Sequence, residues 1–200
     1  QALNEQIAAA GYQFSSANSI NIGRLIPQVA YYVFAYLQLV SQGVIALGDA
    51  INVDVPTGNF GNILAAYYAR QMGLPIKTFI CASNKNNVLT DFFKTGVYDR
   101  QRPFYVTNSP SMDILISSNL ERLIYHATGN DAAQTAAYMK QLVDQGHYQV
   151  TPQMQATYAD FYGGYADEAQ IEASIKAVYE ATGYVLDPHT AVATSVYSDY

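Results

Sequence analysis

The stretch 53–66, Val-Asp-Val-Pro-Thr-Gly-Asn-Phe-Gly-Asn-Ile-Leu-Ala-Ala, limits what this chain can fold into more than any other segment does. Residues 51–55 carry β-branched side chains at alternate positions, which predicts a short strand, and Pro56 ends it because proline has no N–H for a ladder. Gly58 and Gly61 follow, and a helical pattern starts at once. A strand, a glycine loop and a helix start can form an anion site, since glycines let the backbone approach a ligand and the first helical turn has free N–H groups.

The glycine loop has two interpretations. Without a ligand, the same pattern is an ordinary strand-to-helix turn. It is not a P-loop, because no Gly-Lys-Ser or Gly-Lys-Thr follows it, and its G-x-x-G spacing differs from the G-x-G-x-x-G of dinucleotide-binding folds. A nucleotide is therefore not the first choice of ligand, and a single phosphate group on a smaller cofactor fits the loop better.

Helix and strand patterns alternate through the first hundred residues. Apolar side chains at helical spacing predict a long helix from Ile22 to Gln42. Strands are then predicted at 51–55 and 76–82, and helices at 61–72 and 87–94. This β-α-β-α order implies a parallel sheet with helices on its faces. Ligands of such sheets bind beyond the carboxyl ends of the strands, where the glycine loop lies.

The remaining segments are mainly helical. Before the long helix we predict the end of a helix at 3–10 and a short strand at 12–14. After Gly96 the pattern becomes a polar loop and then a series of helices, predicted at 112–127, 132–145, 152–161, 167–182 and from 188 onwards. We therefore predict an α/β fold, with a parallel sheet and flanking helices over residues 1–100, followed by a mainly helical part over residues 101–200.

A second candidate anion site precedes the long helix, in the sequence Asn18-Ser-Ile-Asn-Ile-Gly-Arg24. Two amides, a hydroxyl and a guanidinium come together there ahead of a helix start. An arginine guanidinium can donate two parallel hydrogen bonds to an oxyanion, and the N-terminus of a helix adds to that attraction. The alternative is an ordinary capped helix with a surface arginine, because serine and asparagine are common N-caps.

Composition and charge exclude several classes of function. Only 13% of the residues are charged and the formal net charge is −6, with the lysines and arginines scattered, so no nucleic-acid partner is expected. No apolar run reaches the roughly 18–20 residues of a membrane-spanning helix, so no membrane partner is expected either. The single cysteine, Cys81, lies in an apolar run, where a buried reduced thiol fits a cytoplasmic protein.

No metal is expected. The histidines, His126, His147 and His189, are far apart in sequence, and none pairs with another ligand at the spacing of a zinc site. His189 stands at a predicted helix start, where it should stay neutral because a positive charge is disfavoured there. No G-x-S-x-G motif is present, so α/β-hydrolase chemistry is not expected.

Six segments, in order along the chain, resemble threonine synthases. They are Asn18–Gln28, Val55–Asn62, Gly73–Pro75, Thr95–Tyr98, Ser109–Arg122 and Asp187–Val192. The resemblance covers nearly the whole chain. It implies fold type II of the pyridoxal-phosphate (PLP) enzymes, which tryptophan synthase β chains and serine dehydratases share. It also implies the conversion of O-phospho-L-homoserine and water into L-threonine and phosphate.

The resemblance implies a role for each candidate anion site. The expected cradle of the PLP phosphate, mostly through backbone N–H groups, is Gly58, Asn59, Phe60, Gly61 and Asn62. The residues expected to bind the substrate phosphate are Asn18, Ser19 and Arg24. Residues 1–100 are then the cofactor-phosphate-binding part, and the helical part is expected to return to the cleft at 184–192, whose role the resemblance leaves unassigned.

One departure from the family concerns catalysis. The family's Schiff-base lysine lies in a Phe-Lys-Asp motif that this sequence lacks, so no residue here is assigned a catalytic role. The lysines that are present stand in other contexts; they are Lys77, Lys85, Lys94, Lys140 and Lys176. We expect the chain to be an interior-to-C-terminal segment of a longer enzyme that is inactive alone, with open sheet edges that allow self-association.

Two alternatives remain open. Another PLP enzyme of this fold, such as a dehydratase or a β-replacement enzyme, would keep the glycine loop but has no need of a phosphate grip at Asn18, Ser19 and Arg24. A non-catalytic phosphate-binding module would account for the missing lysine motif.

Overall fold

The computed structural model describes residues 2–13 and 18–200. Its helices are α1 (Ala2–Ala9), α2 (Ile22–Leu25), α3 (Val29–Ser41), α4 (Gly61–Gln71), α5 (Val88–Thr95), α6 (Leu120–Ala127), α7 (Ala132–Gln145), α8 (Pro152–Thr157), α9 (Glu168–Thr182) and α10 (Pro188–Asp199). Its strands are β1 (Ile51–Pro56), β2 (Ile76–Ser83), β3 (Val97–Asp99), β4 (His147–Gln149) and β5 (Phe161–Tyr165). Short 3-10 turns lie at Ile26–Gln28 and Pro110–Met112.

A parallel sheet of three strands, in the order β1-β2-β5, forms the centre of the fold. Cys81 of β2 pairs with Val55 on one side and with Gly163 on the other. Phe79 and Cys81 point into the apolar cluster that includes α4, whereas Ile80 points into the cluster that includes α10. Helices therefore cover both faces, and the predicted α/β class with a parallel sheet and flanking helices is confirmed.

Strand β5 occupies a segment predicted to end a helix. A helix was predicted over 152–161; α8 confirms its first part, Pro152–Thr157, but the predicted end at the two glycines was wrong, because those glycines lie inside the strand. A Cβ on Gly163 would meet the Cα of Thr90 at 3.0 Å, and a Cβ on Gly164 would meet Cγ1 of Val196 at 2.4 Å. The glycines therefore let α5 and α10 pack closely against the strand, which is a recognised use of glycine in sheets.

The segment before α6 also differs from its prediction. A helix was predicted over 112–127, but α6 begins only at Leu120, and residues 113–119 are irregular. This irregular stretch passes over the glycine loop and bonds to it, so side-chain contacts with the loop replace helical hydrogen bonds.

Smaller differences have local causes. The long helix predicted at 22–42 is divided around Pro27 into α2, a 3-10 turn and α3, since proline lacks the N–H that an unbroken helix needs. The polar loop after Gly96 contains β3, which pairs antiparallel with β4. Of the strand predicted at 12–14, the first two residues are not in a strand, and Phe14 lies outside the described residues.

Candidate functional site

The glycine loop connects β1 to α4 through a backbone conformation that is unusual for its residue. Phe60, at the N-cap of α4, has φ +65°, in the left-handed region that side chains other than glycine seldom adopt. Its ring is 1% exposed and stacks at 6.0 Å on Phe93 and at 5.9 Å on Phe161. Core packing therefore holds this conformation in place, and only the backbone of Phe60 can contact a ligand.

A run of backbone N–H groups on this loop has no acceptor among the residues that the structure describes. The N–H of Thr57 donates to the carbonyl of Ala82 at 2.8 Å, and the next paired N–H is that of Leu64, which donates to the carbonyl of Phe60 at 3.1 Å. Within the part of the chain that the structure describes, no acceptor bonds the N–H groups of residues 58–63. Consecutive free N–H groups at the positive end of a helix form a concavity suited to a phosphate group.

The second candidate site faces this loop across one cleft. A cavity of about 180 Å³ is lined by Ser19, Arg24, Gln28, residues 56–62 and Ser111. The side-chain Nδ2 of Asn59 donates to Oγ of Ser19 at 2.7 Å, which joins the two walls directly. The structure thus brings Ser19 and Arg24 together with the glycine loop.

Asn18 and Asn62 stand apart from the centre of the cleft. Asn18 is exposed and lies outside the lining that the described residues give this cavity. Asn62 lines the cleft but also accepts a hydrogen bond from the Tyr32 hydroxyl, whose pKa burial raises far above its usual range. The Asn62 side chain is therefore tied to α3, whereas its backbone N–H has no acceptor among the described residues.

Two residues that sequence analysis did not single out hold the cleft in shape. Nδ2 of Asn119 donates to the carbonyls of Ser19 at 2.9 Å and of Asn59 at 2.8 Å, and Oγ of Ser117 donates to the carbonyl of Gly58 at 2.7 Å. Asn119 has no exposed surface. Its buried amide binds both walls of the cleft at once, which fixes their separation. The sequence feature that could have indicated this role is the run Ser117-Ser118-Asn119, because such side chains favour hydrogen bonds to nearby backbone over a place inside a helix.

Ser111 approaches the loop from the other side. A Cβ added to Gly58 would lie 2.7 Å from the Ser111 carbonyl oxygen and 3.3 Å from the Cα of Met112. No side chain fits at Gly58 unless that backbone moves. The close approach, rather than a positive φ, is what requires glycine at this position.

The first turn of α10 contacts the same segment. The N–H of Ser111 donates to Nε2 of His189 at 3.2 Å, and Nδ1 of His189 lies 3.3 Å from Oδ1 of Asp187. Asp187 is the N-cap of α10, and the pKa of its carboxyl is lowered chiefly by the hydrogen bond from the Thr190 hydroxyl. Because Nε2 accepts a bond, Nδ1 is the ring nitrogen left to donate to Asp187.

Asp54 lies on the strand that leads into the loop. Its Oδ1 is buried and receives no hydrogen bond from the described residues. Burial raises the pKa of this carboxyl from 3.8 to about 7. The group lies outside the cavity lining, so we do not assign it a contact with a ligand.

Larger cavities lie elsewhere among the described residues, and two of them show the contrast with the cleft. One of about 490 Å³ is lined by Tyr68, Arg122 and His126 among others, and one of about 830 Å³ is an apolar groove along α3 and α4. Neither gathers a run of backbone N–H donors around one space. The chemistry of the lining, rather than its size, therefore singles out the smaller cleft.

The described residues contain no group of three or more His, Cys, Asp or Glu side chains placed to hold a metal ion. None of the helices in residues 2–13 and 18–200 combines the length and hydropathy needed to cross a bilayer.

Comparison with known proteins identifies similarity to threonine synthases and threonine synthase-like proteins. No protein-family model matches the chain. Threonine synthase-like 1 of Homo sapiens is 52% identical over 188 residues, which cover 93% of this chain and 25% of that protein. Threonine synthase of Schizosaccharomyces pombe is 36% identical over 202 residues, covering 90% of this chain and 39% of that protein.

A solved structure gives the same result for the fold. The PLP-bound threonine synthase from Brucella melitensis superposes with a TM-score of 0.86 at 40% sequence identity, over 92% of this chain and 39% of that one. The chain thus spans between a quarter and two fifths of the length of the relatives it matches.

Proposed function

Because the chain belongs to the threonine synthase family, we propose that its cleft binds the phosphate of PLP on the glycine loop and the phosphate of O-phospho-L-homoserine at Ser19 and Arg24. We propose further that the whole protein converts O-phospho-L-homoserine and water into L-threonine and phosphate. The proposal rests on one observation: two sets of hydrogen-bond donors face each other around one cavity. One set is the backbone N–H groups of residues 58–63, and the other is the side chains of Ser19 and Arg24.

Each wall suits a different phosphate. The loop donates from fixed backbone and lies at the positive end of α4, so it suits a cofactor phosphate that stays bound. Arg24 supplies a planar fork of donors on a surface helix, which suits a substrate phosphate that must enter and leave. Asn59, which bonds Ser19, is placed to set the spacing between the two anions.

The cofactor and the protein divide the chemistry. When bound, PLP supplies an electron sink that stabilises negative charge on the carbons of the substrate. The residues of this chain orient the two phosphates, and the cationic Arg24 favours the developing charge on a phosphate that leaves. The buried Asn119 amide keeps both walls at a fixed distance while this occurs.

We propose that residues 1–200 alone bind phosphate but do not turn over substrate. In the described part of the chain, no lysine lines the cleft. The lysines of the sequence are Lys77, Lys85, Lys94, Lys140 and Lys176. Incubating the chain with PLP should therefore give no stable absorbance band that depends on one of these lysines. A band that is lost on replacing a single one of them contradicts this part of the proposal.

We also propose two properties of the chain in solution. Cys81 is fully buried and unpaired, which fits a protein of the reducing cytoplasm. Among the described residues β1 pairs only with β2, so its outer edge is a place where two copies can associate. Light scattering at increasing concentration tests this, and a constant monomer mass contradicts it.

A ligand pair tests the substrate assignment. Isothermal titration should detect O-phospho-L-homoserine but not L-homoserine, which differs only in lacking the phosphate. Arg24→Ala should weaken the phosphorylated ligand by roughly tenfold to a hundredfold, the scale of a charge-assisted contact, and Arg24→Lys by less. Arg100→Ala, which removes a guanidinium bonded to the Val143 carbonyl outside the cleft, is the matched control and should have no effect.

The same titration separates the alternatives. Equal affinity for the two ligands, or no effect of Arg24→Ala, overturns the assignment of the substrate phosphate. Binding of L-serine or L-threonine in place of O-phospho-L-homoserine would favour a dehydratase of the same fold.

A further inference from the structure

His189 belongs to a segment whose role is unassigned by the proposed function. It lies in the first turn of α10, about a third exposed, and its Nε2 accepts the N–H of Ser111 at 3.2 Å. Its Nδ1 faces Oδ1 of Asp187 at 3.3 Å. The ring thus connects a helix cap on one side to a backbone N–H on the other.

Ser111 in turn packs against the glycine loop. Its carbonyl oxygen lies 2.7 Å from the place a Cβ on Gly58 would take, so the two backbones abut with no space between them. Ser111 also lines the cleft. A shift of Ser111 therefore moves the wall of the cleft and removes the support behind Gly58.

The other end of the connection is rigid. Oδ1 of Asp187 accepts the N–H groups of His189 at 2.9 Å and of Thr190 at 3.2 Å, which fixes the first turn of α10. That helix packs against β1 and β2 through buried residues, of which Val192 is fully covered. Since β1 also leads into the loop, both ends of the connection are attached to the same sheet.

We infer that His189 is a positioning residue for phosphate binding: it holds Ser111 against Gly58 and so keeps the N–H groups of the glycine loop aligned. This inference rests on the proposed function, since it assumes that the loop binds a phosphate. The imidazole does not touch the anion. It acts through an accepted hydrogen bond, so a side chain that accepts a bond at the place of Nε2 replaces it, and an apolar one of similar size does not.

Three variants of the chain test the inference with inorganic phosphate as the probe. His189→Leu removes the acceptor and keeps the bulk, and it should weaken phosphate binding about tenfold, which corresponds to one lost hydrogen bond. His189→Gln places an amide oxygen near the position of Nε2 and should stay within about twofold of the wild type. His147→Leu, at an exposed histidine on β4, is the matched control.

Nuclear magnetic resonance of ¹⁵N-labelled chain gives the affinity and the state of the fold together. In His189→Leu the amide resonances of Ser111 and Gly58 should move before phosphate is added, whereas those of α7 should not. If His189→Leu does not fold, His189→Asn takes its place. The shorter Asn amide does not reach the Ser111 N–H, so it should bind as weakly as predicted for Leu.

The possible outcomes separate the inference from the proposed function. If the wild type does not bind phosphate on the loop, the proposed function fails. If the wild type binds and His189→Leu binds as well, the inference alone is overturned. Equal weakening in His189→Leu and His189→Gln also overturns it, because the accepted bond is then not what matters.

Discussion

The two walls of the cleft are built in opposite ways. The glycine loop presents backbone N–H groups, and its positions are fixed by core packing of Phe60 and by hydrogen bonds from Ser117 and Asn119. The facing wall presents side chains of Ser19 and Arg24, and Arg24 is exposed on the four-residue helix α2. One wall is therefore part of the core, and the other is part of the surface.

This difference predicts how each wall responds to change. Backbone donors cannot be deleted by a side-chain substitution, but they are displaced whenever their supports move, so stability and binding should fall together. Side-chain donors on a surface helix can be removed with little effect on the fold, so binding should fall alone.

Gly58→Ala should have the largest effect. Its Cβ would lie 2.7 Å from the Ser111 carbonyl oxygen, so a backbone segment must move, at a cost of about 3 kcal/mol, the upper range for overpacking. Phosphate binding should be lost as well. Urea unfolding and phosphate titration measure both effects.

Gly61→Ala is the comparison within the same loop. Its Cβ would meet Nδ2 of Asn119 at 3.4 Å, an ordinary contact, so its cost in unfolding free energy should be much smaller. Equal costs for the two substitutions would show that the Ser111 approach does not determine the place of Gly58.

Asn119→Ala should have the next largest effect. It removes the amide donor of the Ser19 carbonyl and one of the two donors of the Asn59 carbonyl, which keeps the backbone N–H of residue 119 at 3.1 Å, and it costs about 2 kcal/mol of unfolding free energy. Both walls should lose their relative position, so phosphate binding should weaken too. Asn52→Ala, at an exposed site on β1, is the control; a stability loss without weaker binding in Asn119→Ala contradicts the account.

Asn59→Ala should lower both stability and binding, but its effect on binding should be confined to one of the two ligands. It removes the bond from Nδ2 to Oγ of Ser19 and should cost about 1 kcal/mol of unfolding free energy. The loop N–H groups remain, so PLP binding should change little, whereas O-phospho-L-homoserine should bind several-fold more weakly. Parallel titrations with the two ligands check this, and equal losses for both would remove the distinction between the walls.

Asp54→Asn should have the smallest effect, seen as a change in pH dependence. The folded state raises the pKa of Asp54 from 3.8 to about 7, so the folded chain holds a proton that the unfolded chain releases between these values. The unfolding free energy therefore falls as the pH rises from about 4 to about 7. Solvent screening of this partly exposed carboxyl keeps the change small.

Asp54→Asn should remove that fall and leave the chain more stable than the wild type at pH 8. Thermal melting at pH 5 and pH 8 measures it, with Asp199→Asn at the C-terminal end of α10 as the control. An unchanged pH dependence would mean that Asp54 is solvated in the folded chain.

Much of this arrangement could be predicted from the sequence because its signals are local. The strand, the two glycines and the helix start of residues 51–72 follow one another directly, and apolar periodicity identifies the helix. The same holds for the cap of α10, where Asp187 and Pro188 are adjacent. The parallel sheet follows from the order of these local elements.

The supports of the cleft could not be predicted in this way, because they join distant parts of the chain. Asn119 is 60 residues from Asn59, and Ser111 is 78 residues from His189. The strand β5 was not predicted because Gly163 and Gly164 were interpreted as the end of a helix. Their role is to let α5 and α10 pack closely against the strand, and the sequence around them does not show these distant contacts. Long-range packing overrides local propensity at these sites.

The measurement that tests the central claim most directly compares PLP with pyridoxal, which lacks the phosphate, on ¹⁵N-labelled chain. The account predicts that PLP shifts the amide resonances of residues 58–63 and binds, that pyridoxal does neither, and that Gly58→Ala abolishes the shifts. Equal binding of the two compounds, or shifts confined to residues outside the cleft, would contradict the claim that the glycine loop holds a phosphate.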